Sequence, residues 1–292
     1  MTPRQRGLAI AVLAVAILLP DTLLYRLIGA DEWTIMVWRA GFQGAVLWAG
    51  LAVLHRGRVP VGQLGRVGLA FAATMGVANV CFTLAVSWTT VANTLFVIAL
   101  TPLWAALISW LLLGERLSPR VVLTILTALI GVGLLLSGED TGGVAHWSGN
   151  LAAFGCSLCM GLGFTLARLG AGRPMVAGLA LSTVVPVLFG AAMGGAVLPT
   201  LTDLPLLLGM GAFIAPVSFA LLTLAARDLP SAEVSLILLL ETALGPVLVW
   251  WVVGEDPGDR AVLGGGIVVA ALVVSNLVAL RRAKGVSRVP ES

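Results

Sequence analysis

Residues 93–120 read NTLFVIALTPLWAALISWLLLGERLSPR, an apolar run long enough to cross a bilayer, with a proline inside it and a polar stop at Gly114-Glu115-Arg116. Ser118 and Pro119 suit the cap and first turn of a new helix, and residues 121–136 are apolar again. The pattern returns 140 positions later as residues 233–260, EVSLILLLETALGPVLVWWVVGEDPGDR, with Gly114-Glu115 falling on Gly254-Glu255 and Ala92 on Ala232. A further apolar segment follows here too. A chain that repeats such a two-helix unit is expected to be a duplicated membrane protein.

Composition points the same way. Hydrophobic residues make up 59% of the chain and charged ones 11%, against about 25% charged in a soluble globular protein. The 16 arginines and the single lysine, Lys284, sit between apolar segments and not on one face, so they are expected to set topology and not to bind nucleic acid. Cys81, Cys156 and Cys159 fall within apolar segments, where the Cys156–Cys159 spacing supplies small packing residues in place of a redox pair. His55 and His146 lie in loops, so neither a metal site nor a cofactor is expected. The first 20 residues resemble a signal peptide, but nine apolar segments follow, and an uncleaved first span is expected.

Apolar runs of about 20 residues predict ten spans: 8–28, 33–54, 67–87, 91–113, 119–136, 147–169, 176–198, 204–225, 232–253 and 261–280. Helix starts are expected at Ser148, at Asp203 before Pro205, and at Ser231. Of the 17 basic residues, 14 fall on alternate loops and the termini, whereas Asp31, Glu32, Glu139, Asp140, Asp203, Glu255, Asp256 and Asp259 collect on the other side. Both termini are therefore expected in the cytoplasm of a multi-pass cell (inner or plasma) membrane protein. Five spans per half make the halves inverted repeats, over 1–140 and 141–284, with a tail at 285–292. Leu24-Tyr25-Arg26-Leu27 and Leu166-Ala167-Arg168-Leu169 close the first and sixth spans as a weaker echo.

These features resemble the drug/metabolite transporter superfamily, and within it the ten-span EamA-type members. The motifs that carry the resemblance are Pro102 thirteen residues before Glu115, Gly131-Val132-Gly133, Leu240-Glu241, Gly254-Glu255 with Gly264 nine residues on, and Arg39 in VWRAGF. Thr242 stands where many second repeats have proline, and Thr124 replaces the usual glycine of the fifth span. The resemblance implies an all-α membrane fold and export or facilitated passage of small metabolites, often amino acids, with the YddG-like amino-acid exporters a plausible nearest group. It names neither a substrate nor a coupling ion.

A charge at a helix centre costs on the order of 2.5–3.5 kcal/mol on insertion scales, so each one within a span must be paired or face water. Asp21 and Arg39 lie nine residues on either side of the first hairpin turn near Ala30, at similar depth, and an ion pair between them is expected. Arg39 lining a vestibule is the alternative. Glu241 sits about ten residues into the ninth span, roughly 15 Å from either surface of a core about 30 Å thick. It either ties neighbouring helices together or faces a central cavity, where it could meet a substrate ammonium or carry a proton. Asn79, Asn93 and Ser218 are its candidate polar companions, and Thr242, Gly245 and Pro246 are expected to loosen the helix beside it. Trp104 shares a helical stripe with Asn93, Val97 and Leu100, of which Val97 and Leu100 are expected to be packing. Substrate contact is thus expected from Glu241, Asn79, Asn93, Ser218, Trp104 and Arg39. Gly190 and Gly194 are expected to let helices approach closely.

An enzyme is disfavoured, since no HExxH or GxSxG motif occurs and no intramembrane histidine is available. The expected function is secondary transport by alternating access around a cavity between the repeats. The partners would be a small-molecule substrate and the bilayer, and the protein a monomer. A channel or a non-transporting structural membrane protein is the alternative.

Overall fold

The computed structural model describes residues 3–114, 144–229, 237–256 and 262–267 without interruption, together with single residues and pairs within 123–134, at 233–234, at 258–259 and within 269–274. Among the described residues the fold is helical with no strand. Among the same residues seven helical stretches are long and apolar enough to cross a membrane, and they keep here the numbers that the sequence predicts. In the order of the sequence they are the first span, Gln5–Leu27; the second, Glu32–Leu54; the third, Gly65–Trp88; the fourth, Val91–Leu113; the sixth, Trp147–Leu169; the seventh, Met175–Ala192; and the eighth, Leu204–Asp228. The ninth is represented by a shorter apolar helix, Leu239–Val253, and residues 262–267 of the tenth are helical. The expected fifth span and the tail at 285–292 lie outside the described residues, apart from scattered positions in 123–134.

Several helix ends depart from expectation. Ser148 lies inside a helix that starts at Val144, so it does not begin the sixth span. Asp203 precedes Leu204–Leu208 but makes no cap hydrogen bond; its Oδ1 instead accepts from the Gly29 amide at 3.0 Å, tying the first hairpin to the eighth span. Ser231 lies outside the described residues. The seventh span ends at Ala192, short of the expected 198. Gly190 does make the close approach, since a Cβ there would meet Val37 and the Trp33 carbonyl, but Gly194 sits in a turn at φ +98° with nothing near it.

Two pairs of spans 140 positions apart, the fourth with the ninth and the second with the seventh, pack against each other and run antiparallel. On the fourth and ninth, Val91 meets Glu255 while Leu95 meets Thr242. On the second and seventh, Gly44 abuts Thr183 and Trp33 abuts Gly190. The remaining pairings exchange partners: the first span lies on the eighth, through Arg6–Asp228 and Gly29–Asp203, and the sixth lies on the third, through Gly149–Thr89 and Gly163–Met75. Only an inverted relation between the halves pairs counterpart helices in this way. One end of the bundle gathers basic groups, with Arg6 on Asp228, Arg173 on the Leu64 carbonyl and Arg227 on the Arg173 carbonyl. The other end gathers Asp31, Glu32, Asp203 and Glu255.

Among the described residues, four spans are interrupted partway along their length. The first breaks at Leu19-Pro20 between Pro3–Leu18 and Asp21–Leu27. The fourth breaks at Ala99-Leu100 between Val91–Ile98 and Thr101–Leu113, and the seventh at Thr183 between Met175–Ser182 and Val184–Ala192. The ninth turns at Leu238 and continues through Pro246, so the loosening expected at Thr242, Gly245 and Pro246 falls instead just before Glu241. In the fourth and seventh, the prolines at 102 and 186 remove the amide that would bond the carbonyl four residues earlier. The Thr101 hydroxyl covers the carbonyl freed by Pro102, donating to Ile98 at 2.6 Å, and at the break of the seventh span Ser182 donates to the Leu179 carbonyl at 2.7 Å and Thr183 to that of Ala180 at 2.8 Å. The eighth span widens into a π-helix at Gly209–Ile214, immediately before Pro216.

Candidate functional site

All four breaks open onto one cavity between the halves. Its wall includes Leu18 and Asp21 from the first break, Ile98 and Ala99 from the fourth span, Ser182 from the seventh, and Leu238, Glu241 and Thr242 from the ninth. Its volume is about 50 Å³, room for a few water molecules.

The expected Asp21–Arg39 pair is present. Arg39 Nη2 donates to Asp21 Oδ2 at 2.7 Å, with side chains 3% and 1% exposed. The break at Pro20 turns Asp21 inward at the start of its short helix, and the Arg39 guanidinium lies 5.4 Å from the Phe82 ring centroid. Gln43 follows Arg39 by one helical turn on the same face, and its Oε1 accepts from Asn79 Nδ2 at 3.4 Å. Glu241 is 7% exposed, lines the cavity, and receives no hydrogen bond from the described residues. Beside it, Thr242 Oγ1 donates to the Leu95 carbonyl at 3.4 Å.

Of the six residues expected to touch substrate, Glu241, Asn79 and Arg39 line this cavity. Asn93, Ser218 and Trp104 lie elsewhere. Asn93 is buried in the first turns of the fourth span, which Thr90 caps, and its side-chain amide donates to Thr89 at 3.4 Å. Trp104 faces the sixth span, donating from Nε1 to Ser157 at 3.1 Å and meeting the Phe154 ring edge-on at 5.3 Å. Val97 and Leu100 pack in the same cluster, so the stripe is a helix contact. Ser218 is fully buried one position before Phe219, which does line the cavity.

Met75, Phe82, Met160, Leu179 and Phe219 complete the apolar part of the wall, with Cys156 among them. Nothing in their local sequence distinguishes them from core residues. Gln43 was legible, since it follows Arg39 by four.

Counterpart positions of the two halves line the cavity together. Arg39 and Leu179, Asn79 and Phe219, and Ile98 and Leu238 are each 140 apart, and all six line it. The axis relating the halves therefore passes through this space, and in two of these pairs a polar residue of the first half is matched by an apolar one of the second.

A structure of another protein, known from a crystal, superposes with a TM-score of 0.67 at 24% identity, covering 94% of this chain and 99% of that one. The likeness shows the fold. No curated protein matches the sequence. The profile of the EamA-like transporter family matches twice, over residues 5–137 and 147–277, which is nearly the whole length and follows the two halves. Antiparallel halves, broken helices meeting at one cavity and two successive family matches together establish that the chain belongs to the EamA-like transporter family.

Proposed function

We propose that the protein is a secondary transporter, an exporter or facilitator, that carries small metabolites such as amino acids or related compounds by alternating access around this cavity. The observation that carries the proposal is the convergence of four broken helices on a space holding a buried carboxylate, Glu241, with no hydrogen-bond partner among the described residues. Broken helices let segments of a span tilt separately and place polar groups at the midplane, where a solute needs them. The cavity is narrow, so passage requires those segments to move apart. Glu241 and Asn79 contact the solute, and Arg39 acts through its pair with Asp21.

In this account residues 119–136 form the fifth of ten spans, the halves divide after residue 140, and both termini face the cytoplasm of the cell membrane. Support comes from the basic groups gathered at one end of the bundle. Cysteine labels at 116 and 168 should react from the cytoplasm and labels at 140 and 256 from outside. Labelling of 116 and 256 from the same side defeats the topology. Transport itself is tested with purified protein in liposomes: saturable flux stimulated by counter-substrate marks a carrier, whereas non-saturable flux marks a channel.

A further inference from the structure

We infer that Arg26 and Glu255 form the latch of a gate closing the cavity toward the acidic end of the bundle, and this rests on the transport function proposed above. Three of the broken spans carry a separate segment on the acidic side of the break. These are Asp21–Leu27 in the first span, Val91–Ile98 in the fourth and Leu239–Val253 in the ninth. The same segments supply Asp21, Leu95, Ile98, Glu241 and Thr242 to the cavity wall.

At their acidic ends a single cluster joins all three. Arg26 Nε lies 2.8 Å from Glu255 Oε2, and Arg26 Nη2 donates to the Thr89 carbonyl at 2.6 Å. Glu255 Oε1 accepts from the Val91 amide at 2.7 Å, so one carboxylate holds the first segment and the start of the fourth together. The two side chains are 22% and 20% exposed, so water reaches the pair and can replace its bonds when it parts. Between the latch and the cavity the segments touch at Gly245, one helical turn beyond Glu241, where a Cβ would meet Leu95 and approach Thr22. The cavity itself holds about 50 Å³. A solute crossing its acidic side must therefore part the first segment from the ninth, and that motion separates Arg26 from Glu255. The breaks at Leu19-Pro20 and Leu238 supply the hinges.

Cys156 lines the cavity and is 1% exposed, which makes it a native reporter of opening. In a full-length chain carrying Cys81→Ala and Cys159→Ala, its modification by a membrane-impermeant methanethiosulfonate is timed in sealed vesicles of either orientation. Arg26→Leu should speed modification from the acidic face about tenfold, the worth of one charge-assisted hydrogen bond. Glu255→Gln should speed it about two- to fivefold. Modification from the basic face should stay the same or slow. In the converse experiment a short bifunctional methanethiosulfonate joins the cysteines of Arg26→Cys and Glu255→Cys in a chain whose own cysteines are replaced by alanine. Counterflow in liposomes should stop on crosslinking and return with a reductant. Rates equal to those of the wild type overturn the inference, as does acceleration from both faces alike, the mark of general loosening, or flux that survives the crosslink. Wild-type flux with labelling unmoved by the variants leaves transport standing and rejects the latch. Labelling that follows the latch in a protein exchanging no solute rejects transport and leaves the gate.

Discussion

The fourth and ninth spans are copies that bend at nearly the same place and do different chemistry there. The breaks fall at Ala99-Leu100 and at Leu238, and Ile98 and Leu238 line the cavity alike. Position 101 in the fourth span is threonine, whose hydroxyl bonds back across the break to the Ile98 carbonyl; its counterpart, Glu241, lines the cavity. The second and seventh spans repeat the lesson, with Arg39 facing Leu179. Duplication supplied a symmetric, bendable frame, and divergence placed every charge of the cavity on one member of each pair.

The largest effect should come from erasing that divergence in the second span. Arg39→Leu, the residue at the counterpart position, leaves Asp21 buried and unpaired, and should destabilise the protein by about 3–5 kcal/mol in thermal unfolding. Adding Asp21→Asn should recover much of the loss. A double variant no more stable than Arg39→Leu alone would show that the pair is not what holds these helices.

Glu241→Thr makes the ninth span match the fourth. Removing one isolated buried carboxylate should leave the unfolding temperature unchanged or higher, while flux in liposomes falls about tenfold or more. Unaltered flux would make the difference between the two spans structurally incidental.

At the acidic end Glu255 closes the ninth span onto the start of the fourth, accepting from the Val91 amide at 2.7 Å while pairing with Arg26 at 2.8 Å. Its counterpart, Glu115, lies outside the described residues. Glu255→Gln keeps one acceptor and loses the ion pair, so about 1 kcal/mol of stability should go. Glu255→Ala loses both and should cost about twice that.

The smallest effect concerns helix starts. Desolvation alone would push the Asp31 carboxyl up, but hydrogen bonds from the Thr34 hydroxyl and from the Thr34 and Trp33 amides outweigh it and hold it below the ordinary aspartate value. The seventh span starts at Pro174 with no side-chain cap. A lowered folded value means that the cap stabilises above the unfolded aspartate value and is lost as pH falls through the folded one. Asp31→Ala should cost about 0.5–1 kcal/mol near neutrality, at the low end for a cap because the site is exposed. That difference should vanish on acidification, and a cost independent of pH would mean that the charge is not involved.

The sequence by itself determined the membrane class, the duplication and the positions of most spans, because a bilayer reads mean hydropathy over about 20 residues and that is a local property. It also placed Asp21 opposite Arg39, since both sit on one hairpin and rise per residue fixes their depth. The rest was decided by tertiary structure. Whether Asp203 caps its own helix or reaches the Gly29 amide, whether Trp104 faces a solute or Ser157, and which of Asn79, Asn93 and Ser218 joins Glu241 all depend on helix rotations and breaks. Those are set by contacts between residues up to about two hundred positions apart, and a pattern of apolar residues lying all around a span leaves its rotation undetermined.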